Sequence, residues 1–224
     1  MAKDYLPIFT QLKDRPCLVV GGGGVAERKV RELLNAGAII EVVSLNATTG
    51  LDVLAANADI NLRKGAFQEA DLDNNWLVIA ATDDRELNTR IALAAERRQC
   101  FCNVVDDTEL CSFIMPAIVK RSPITVAISS SGQSPVLARW VKGLIESLLP
   151  AQLGSLAALS GRWRRRVTKS ITDVSQRRRF WEKLFAGPLP EQCYSGAEQE
   201  AEATLKQALK DWHRDAGNLS LIHI

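Results

Sequence analysis

Histidine is nearly missing from this chain. Only His213 and His223 occur among 224 residues, both close to the C-terminus, so chemistry in the body of the protein must proceed without an imidazole. Cysteine is present but unpatterned: the five at positions 17, 100, 102, 111 and 193 match neither a disulfide framework nor paired zinc ligands. No uninterrupted apolar run approaches the ~20 residues needed to cross a bilayer. Met1-Ala2-Lys3-Asp4-Tyr5 leads into no apolar core of a signal peptide, so the expected location is cytoplasmic, with no membrane partner. Composition argues against disorder, because 46% hydrophobic and 24% charged residues are ordinary for a globular protein. At ~100–200 residues per domain, the length allows one large or two small domains.

What is there is organised in blocks. Residues 17–20, 39–43, 76–81 and 101–105 are short apolar runs, and a weaker one lies near Ile60-Asn61-Leu62. Between them, 25–36 and 84–98 carry apolar residues at helical spacing. Strands alternating with helices predict a parallel sheet covered on both faces, an α/β fold. Residues 113–119 and 124–128 flank Lys120-Arg121-Ser122-Pro123 and read as an antiparallel hairpin, with Pro116 at an edge or bulge. Ser134-Pro135 then starts a helix, Ser as N-cap and Pro in the first turn, that runs to Leu148 before Pro150. The rest, to about Lys210, is polar and helical. The expected divisions are 1–111, 112–149, 150–212 and a tail, 213–224.

Gly21-Gly22-Gly23-Gly24-Val25-Ala26 follows the first strand and opens the first helix. It contains the Gly-x-Gly-x-x-Ala spacing of a dinucleotide site: Gly21 for the tight turn, Gly23 for close approach of a pyrophosphate, Ala26 for helix–strand packing. A plain glycine turn is the alternative. The acid that usually holds the adenine ribose at the end of the second strand is replaced by Ser44-Leu45-Asn46. There Asn46 is expected to reach the ribose hydroxyls and Leu45 to pack on the adenosine. No Arg or Lys occurs between 42 and 62, which favours NAD over NADP.

Two further positions face the carboxyl edge of such a sheet, where ligands bind. Thr82 is either a donor to the cofactor or, with Asp83, the cap of the next helix. Asp106, after the run Asn103-Val104-Val105, is a candidate base that removes a proton while hydride leaves to NAD. A turn aspartate is the alternative, and Asp107 is the better fit to that role.

In order along the chain stand Leu6-Pro7-Ile8-Phe9, Val20-Gly21-Gly22-Gly23-x-Val25-Ala26-x-Arg28-Lys29, Ala80-Ala81-Thr82-Asp83, Phe101-Cys102-Asn103-Val104-Val105-Asp106, Phe113-Ile114-Met115-Pro116 and Ser134-Pro135-Val136-Leu137-Ala138-Arg139. With these blocks the chain resembles the N-terminal half of bifunctional siroheme synthase, up to about Trp181-Glu182-Lys183. The resemblance implies a Rossmann domain, a dimerisation segment and a small helical domain. It implies NAD-dependent oxidation of precorrin-2 to sirohydrochlorin, then insertion of Fe²⁺ as substrate in the same cleft to give sirohaem. It implies that Asp106 serves both steps, that Gly24-Val25 and Leu45-Asn46 contact NAD, and that Ser130 matches a phosphoserine of some relatives. The chain departs from the family at Gly24, a fourth glycine, and across 46–62.

The remaining features have readings of their own. From Arg162 to Lys183 stand nine basic residues against two acidic ones. This is either a solvated helical face or an attractor for the carboxylates of a tetrapyrrole. The interleaved aromatics raise a nucleic-acid reading, but no groove-reading motif accompanies them, and no nucleic-acid partner is expected. Metal insertion needs only a carboxylate that holds Fe²⁺ weakly, so no permanent metal site is expected. Cys100 and Cys102 are read as core residues on opposite faces of a strand. Ile114, Ile118, Val136 and Trp140 are expected at a two-fold homodimer interface. The tail from Asp215 to Ile222 reads as the opening strand of a methyltransferase domain, without methyl transfer by this chain. A dehydrogenase without chelatase activity, and a non-catalytic NAD-responsive module, are the competing functions.

Overall fold

Five short runs, most of them apolar, become the strands of one parallel sheet. The protein is described here by a computed structural model that covers residues 5–220, with side chains to residue 214. The strands are β1 (Pro16–Val20), β2 (Ile39–Ser44), β3 (Asn61–Lys64), β4 (Leu77–Ala80) and β5 (Phe101–Val104), in spatial order β3-β2-β1-β4-β5. Leu18, Val19, Val42, Val43, Val78 and Ile79 are wholly buried, as a sheet with both faces covered requires. Alternation sends Cys17 and Val19 to one face and Leu18 and Val20 to the other. The first face packs on Ala26, Val30 and Leu33 of α1 (Gly24–Leu34) and on Leu51 and Leu54 of α2 (Thr49–Ala56). The second packs on Ile91, Ala92, Ala94 and Ala95 of α3 (Arg85–Arg97). Strand order reverses between β1 and β4, and in open α/β sheets that switch opens a crevice at the carboxyl ends.

Two local outcomes differ from the sequence pattern. Helix α2 has no counterpart in that pattern, because Thr49, Gly50 and Val53 lower its propensity. The Thr48 side chain caps it by accepting from the Leu51 N–H, and buried Leu51 and Leu54 hold it to the sheet. The weak run near residue 60 does form a strand, shifted to 61–64. Cys100 and Cys102 are core residues, but they share one face. Two residues apart along an extended chain, both point into the cluster that includes Leu18 and Ile91.

The sheet unit comprises residues 5–115 with 131–133; residues 116–130 and 134–220 form a second unit. This second unit opens with the antiparallel pair β6 (Ala117–Arg121) and β7 (Ile124–Ile128), joined by Ser122-Pro123. The first arm begins at 117 rather than 113 because residues 112 and 113 are tied back to β5, both N–H groups donating to the Cys102 carbonyl. Helix α4 (Pro135–Leu148) starts as expected, with the Ser134 hydroxyl accepting from the Leu137 N–H at 3.2 Å. Helices α5 (Leu153–Ser170), α6 (Val174–Phe185), α7 (Leu189–Tyr194) and α8 (Glu198–Ser220) follow. Leu159, Trp163, Val167, Phe180, Leu189 and Leu205 form their shared core. Leu205, Leu209 and Trp212 seat α8 on this core, and the helix continues past Gly217, so 215–220 is helix and not the expected strand. Residues 221–224, His223 among them, lie outside the described residues. Among the described residues no helix is long and apolar enough to cross a membrane.

Helix α5 offers a paired test of packing. A Cβ at Gly154 would land on the Ser122 carbonyl oxygen, whereas one at Gly161 meets nothing within 4 Å. Gly154→Ala is therefore expected to destabilise by about 1–3 kcal/mol through overpacking. Gly161→Ala should stabilise by about 0.5–1 kcal/mol through helix propensity. Urea midpoints at constant slope read both signs in one helix.

Candidate active site

The loop after β1 is shaped by two backbone collisions. Gly21 has φ +124°, and a Cβ there would strike the Ala81 carbonyl, which follows β4. At Gly22 a Cβ would strike the Asn46 carbonyl, which follows β2, with the Ser44 hydroxyl oxygen also within 2.6 Å. Short hydrogen bonds fasten the same approach. The Gly21 N–H donates to the Val43 carbonyl and the Thr48 N–H to the Gly22 carbonyl, both at 2.9 Å. The Ser44 hydroxyl donates to the Asn46 carbonyl at 2.6 Å. Thr48 also donates its hydroxyl to Glu27 on α1 at 2.7 Å. That bond, and after it Arg31, holds the Glu27 carboxyl below the usual carboxylate range. Leu45 and Asn46, both exposed, are thus held against the glycine turn.

Gly23 and Gly24 behave differently. A Cβ at either would meet nothing within 4 Å, so they face open space. Gly23 is the N-cap of α1, and no side chain caps that end. Open room in front of uncapped N–H groups at a helix N-terminus fits the pyrophosphate of a dinucleotide. The two nearest cations beyond β2 are engaged: Lys64 pairs with Asp52 at 2.8 Å and Arg63 with Asp71.

Next to the turn lies a cavity of about 410 Å³ lined by Val25, Ala81, Thr82, Asp83, Arg85, Asn88 and residues 104–107. It brings Val25, Thr82 and Asp106 together from α1 and from the loops after β4 and β5. Asp106 takes φ +60°, a left-handed conformation that Asp and Asn adopt more readily than other side-chain-bearing residues. The backbone around it is pinned from behind. Buried Asn103 donates its side-chain amide to the Phe113 carbonyl at 3.0 Å. The Cys111 sulfur accepts from the Val104 N–H at 3.1 Å. The turn falls on Val105 and Asp106, closed by the Asp107 N–H donating to the Val104 carbonyl at 3.3 Å, so the turn position belongs to Asp106 and not to Asp107. Asp107 caps the short helical turn Thr108–Leu110, its carboxylate accepting from the Glu109 N–H at 3.1 Å.

Thr82 lines the cavity, but it does not cap α3, and neither does Asp83. The cap is Asp84, which accepts from the Leu87 N–H at 3.0 Å. One residue beyond Asp83 and two beyond Thr82, it leaves the Thr82 hydroxyl to donate to Asn88 Oδ1 at 2.7 Å, while the Asn88 amide donates to the Thr82 carbonyl at 2.9 Å. Sequence reasoning misses Asn88. Its signal is a polar residue in helical register with buried Ile91, Ala92 and Ala95. Arg85 is missed as well; it is a cavity residue whose guanidinium stands 3.8 Å from Asp107.

Other expected site residues fall elsewhere. Ser130 belongs to the second unit, where its hydroxyl oxygen accepts from the Ser134 N–H at 3.0 Å. Among the described residues no three His, Cys, Asp or Glu gather in a way that could hold a metal. Burial pushes the Cys102 thiol up to about 12 and the Cys100 thiol to about 11, so neither supplies the thiolate a metal needs.

Residues 8–117 match the family described as "Putative NAD(P)-binding", 121–148 "Sirohaem biosynthesis protein central" and 152–209 "Sirohaem synthase dimerisation region". The chain is 51% identical over 198 residues to the siroheme synthase of Salmonella paratyphi A, covering 88% of this chain and 43% of that protein. It is 48% identical over 209 residues to siroheme synthase 1 of Serratia proteamaculans, covering 93% and 44%. The chain therefore spans less than half the length of these relatives. A solved structure titled SirC, precorrin-2 dehydrogenase, superposes with a TM-score of 0.72 at 21% identity, covering 92% of this chain and all of that one, a likeness of fold.

The two kinds of glycine separate in stability. Gly21→Ala is expected to cost about 2 kcal/mol or more, from positive φ and the clash with Ala81. Gly23→Ala, in open space, should stay within about 0.5 kcal/mol. Chemical denaturation of the two variants checks this.

Proposed function

The chain belongs to the siroheme synthase family, and on that premise we propose that it oxidises precorrin-2 to sirohydrochlorin with NAD and then inserts Fe²⁺ to give sirohaem. The observation that carries the proposal is the Asp106 carboxylate residue sharing one cavity with Val25 of the glycine turn and with Thr82.

Gly21, Gly23, Gly24 and Val25 would hold the pyrophosphate, and Leu45 and Asn46 the adenosine. Bound NAD supplies a hydride acceptor. Oxidation removes two hydrogens from the macrocycle, one as hydride and one as a proton, and Asp106 takes the proton. Among the described residues the cavity holds no His, so a carboxylate is its only kind of anionic base near neutral pH. In the second step two pyrrole protons leave as the metal ion enters. The same carboxylate, exposed to solvent, takes these protons one at a time and passes each to water, and it offers a hard oxygen ligand that binds Fe²⁺ loosely enough to release it. Arg63 and Lys64 are already paired with carboxylates, so neither is free for a 2′-phosphate, which favours NAD over NADP.

Helix α4 buries none of its residues, and Val136, Leu137, Trp140 and Leu148 are at least half exposed. A second copy of the chain covering this stripe makes a homodimer in the cytoplasm. Sedimentation at micromolar concentration is expected to show a dimer, and a Trp140→Glu variant to shift it towards monomer; a wild-type monomer refutes the interface.

The decisive experiment supplies precorrin-2 and NAD anaerobically and follows NADH together with the product chromophore, then Fe²⁺ or Co²⁺ insertion into sirohydrochlorin. Asp106→Asn keeps a residue that tolerates the left-handed backbone. It is expected to slow oxidation by about 10²–10⁴-fold while NAD affinity holds. Full turnover in that variant, or tighter binding of NADP than of NAD, contradicts the corresponding part of the proposal.

A further inference from the structure

The chain is electrostatically divided. Residues 1–115 hold 12 basic and 17 acidic side chains; residues 116–224 hold 16 and 9. The cavity follows the acidic part: Asp83, Asp106 and Asp107 line it, with Arg85 as the one lining cation among the described residues. A ligand carrying several carboxylates meets repulsion there, and its attraction must come from elsewhere on the protein.

The nine cations between 162 and 183 do not act alike. Four serve the helices themselves. Arg162 pairs with Glu198 and Arg178 with Glu182, each at 2.7 Å. Arg166 lies 4.9 Å over the Trp163 ring. Arg177 donates to the carbonyls of Ile171 and Thr172, closing the end of α5. Arg179 sits near Asp173 and helps hold its carboxyl below the usual range, after hydrogen bonds from Gln176 and Ser175. Arg164, Arg165 and Lys169 on α5, and Lys183 on α6, are exposed and have no partner among the described residues.

On α5 these residues lie away from the buried face of Leu156, Leu159, Trp163 and Val167. Arg165 and Lys169 are one turn apart, a spacing at which like charges destabilise a helix. The C-terminal carbonyls of α5 account for Lys169, but no group among the described residues answers Arg164 and Arg165. Of the interleaved aromatics, Trp163 and Phe180 are 5% and 1% exposed and belong to the helical core, while Trp181 is half-buried and stacks on Phe185.

We infer that the outer face of α5, formed by Arg164, Arg165 and Lys169, is a capture surface for the carboxylates of the tetrapyrrole substrate. The inference rests on the proposed function for the polyanionic character of that substrate. Guanidinium groups bind carboxylates in a two-pronged fashion, and a patch of one sign raises the local concentration of its counter-ion. Exposed charges are screened by salt, so capture weakens as ionic strength rises.

The test uses the full chain and the substitutions Arg164→Gln, Arg165→Gln and Lys169→Gln together, since glutamine keeps helix propensity. Uroporphyrin, an octacarboxylate, is titrated by fluorescence at low and high salt, alongside NAD titration and precorrin-2 kinetics. The triple variant is expected to bind uroporphyrin about tenfold more weakly at low salt and to lose most of the salt dependence. Its KM for precorrin-2 rises, its NAD affinity is unchanged and its circular dichroism matches wild type. Uroporphyrin binding and salt dependence equal to wild type overturn the inference, and leave the proposed function standing if precorrin-2 is still oxidised. Loss of binding to a single-stranded oligonucleotide with uroporphyrin binding intact overturns it in favour of a nucleic-acid surface. A wild-type chain that neither oxidises precorrin-2 nor binds uroporphyrin removes both.

Discussion

Two carbonyl oxygens, those of Ala81 and Asn46, occupy the space that side chains would need at Gly21 and Gly22. This contact draws the carboxyl ends of β1, β2 and β4 around a single turn, at the place where the strand order reverses. Everything proposed for the cofactor depends on it. The clash side of the turn sets where the chain runs, and the open side, Gly23 and Gly24, leaves room in front of the first N–H groups of α1. The loop of Leu45 and Asn46 follows from the same contact, because the hydrogen bonds of Thr48 and Ser44 anchor it to the turn. An acidic ribose ligand at the end of β2 is not needed to place that loop.

The cavity beside the turn is built on a chain that has no imidazole to offer there. Its candidate base stands on a left-handed residue, and the cost of that backbone is borne by the pinned segment behind it. Asn103, Cys111 and Phe113 tie β5 to the loop that follows. Thr82 and Asn88 do the same for the loop after β4, exchanging hydrogen bonds that leave Asp84 to cap α3. Both loops are thus held by polar groups with little access to water, where hydrogen bonds are strong. Asp106 itself is exposed to solvent at this cavity, and an exposed carboxylate can hand on to water the protons that both proposed reactions remove from a macrocycle.

The second unit shows one residue type put to unlike uses within 22 positions. Arg177 closes a helix end, Arg166 covers an indole, Arg162 and Arg178 pair with carboxylates, and Arg164 and Arg165 do none of these. Partners of this kind come from other turns and other helices, so the charge run as a string carries no sign of the division. The same holds for Trp163 and Phe180, which the helical core absorbs. Helix α4 is the opposite case, an apolar stripe that its own unit leaves uncovered.

Most of the sheet is legible in the order of residues alone, because buried parallel strands must be short apolar runs and their covering helices must repeat every three to four residues. The glycine turn is legible too, since few other residues permit its backbone. Helix α2 is hidden by Thr49, Gly50 and Val53, whose weak propensity is overridden by the burial of Leu51 and Leu54. The capping residue of α3 stands one residue beyond Asp83, and the start of β6 four residues beyond its expected place, since hydrogen bonds to Leu87 and to Cys102 decide them. By itself the amino-acid order determined the α/β class, the glycine turn after β1 and Asp106 as an acid beyond the last strand of the parallel sheet. Only the tertiary structure decided that Asp106 shares a cavity with Val25 and Thr82, that Asn88 and Arg85 belong there, and which arginines are free. Proximity between residues 25, 82 and 106 is created by strand pairing and helix packing, and no local pattern encodes a contact between segments so far apart in the chain.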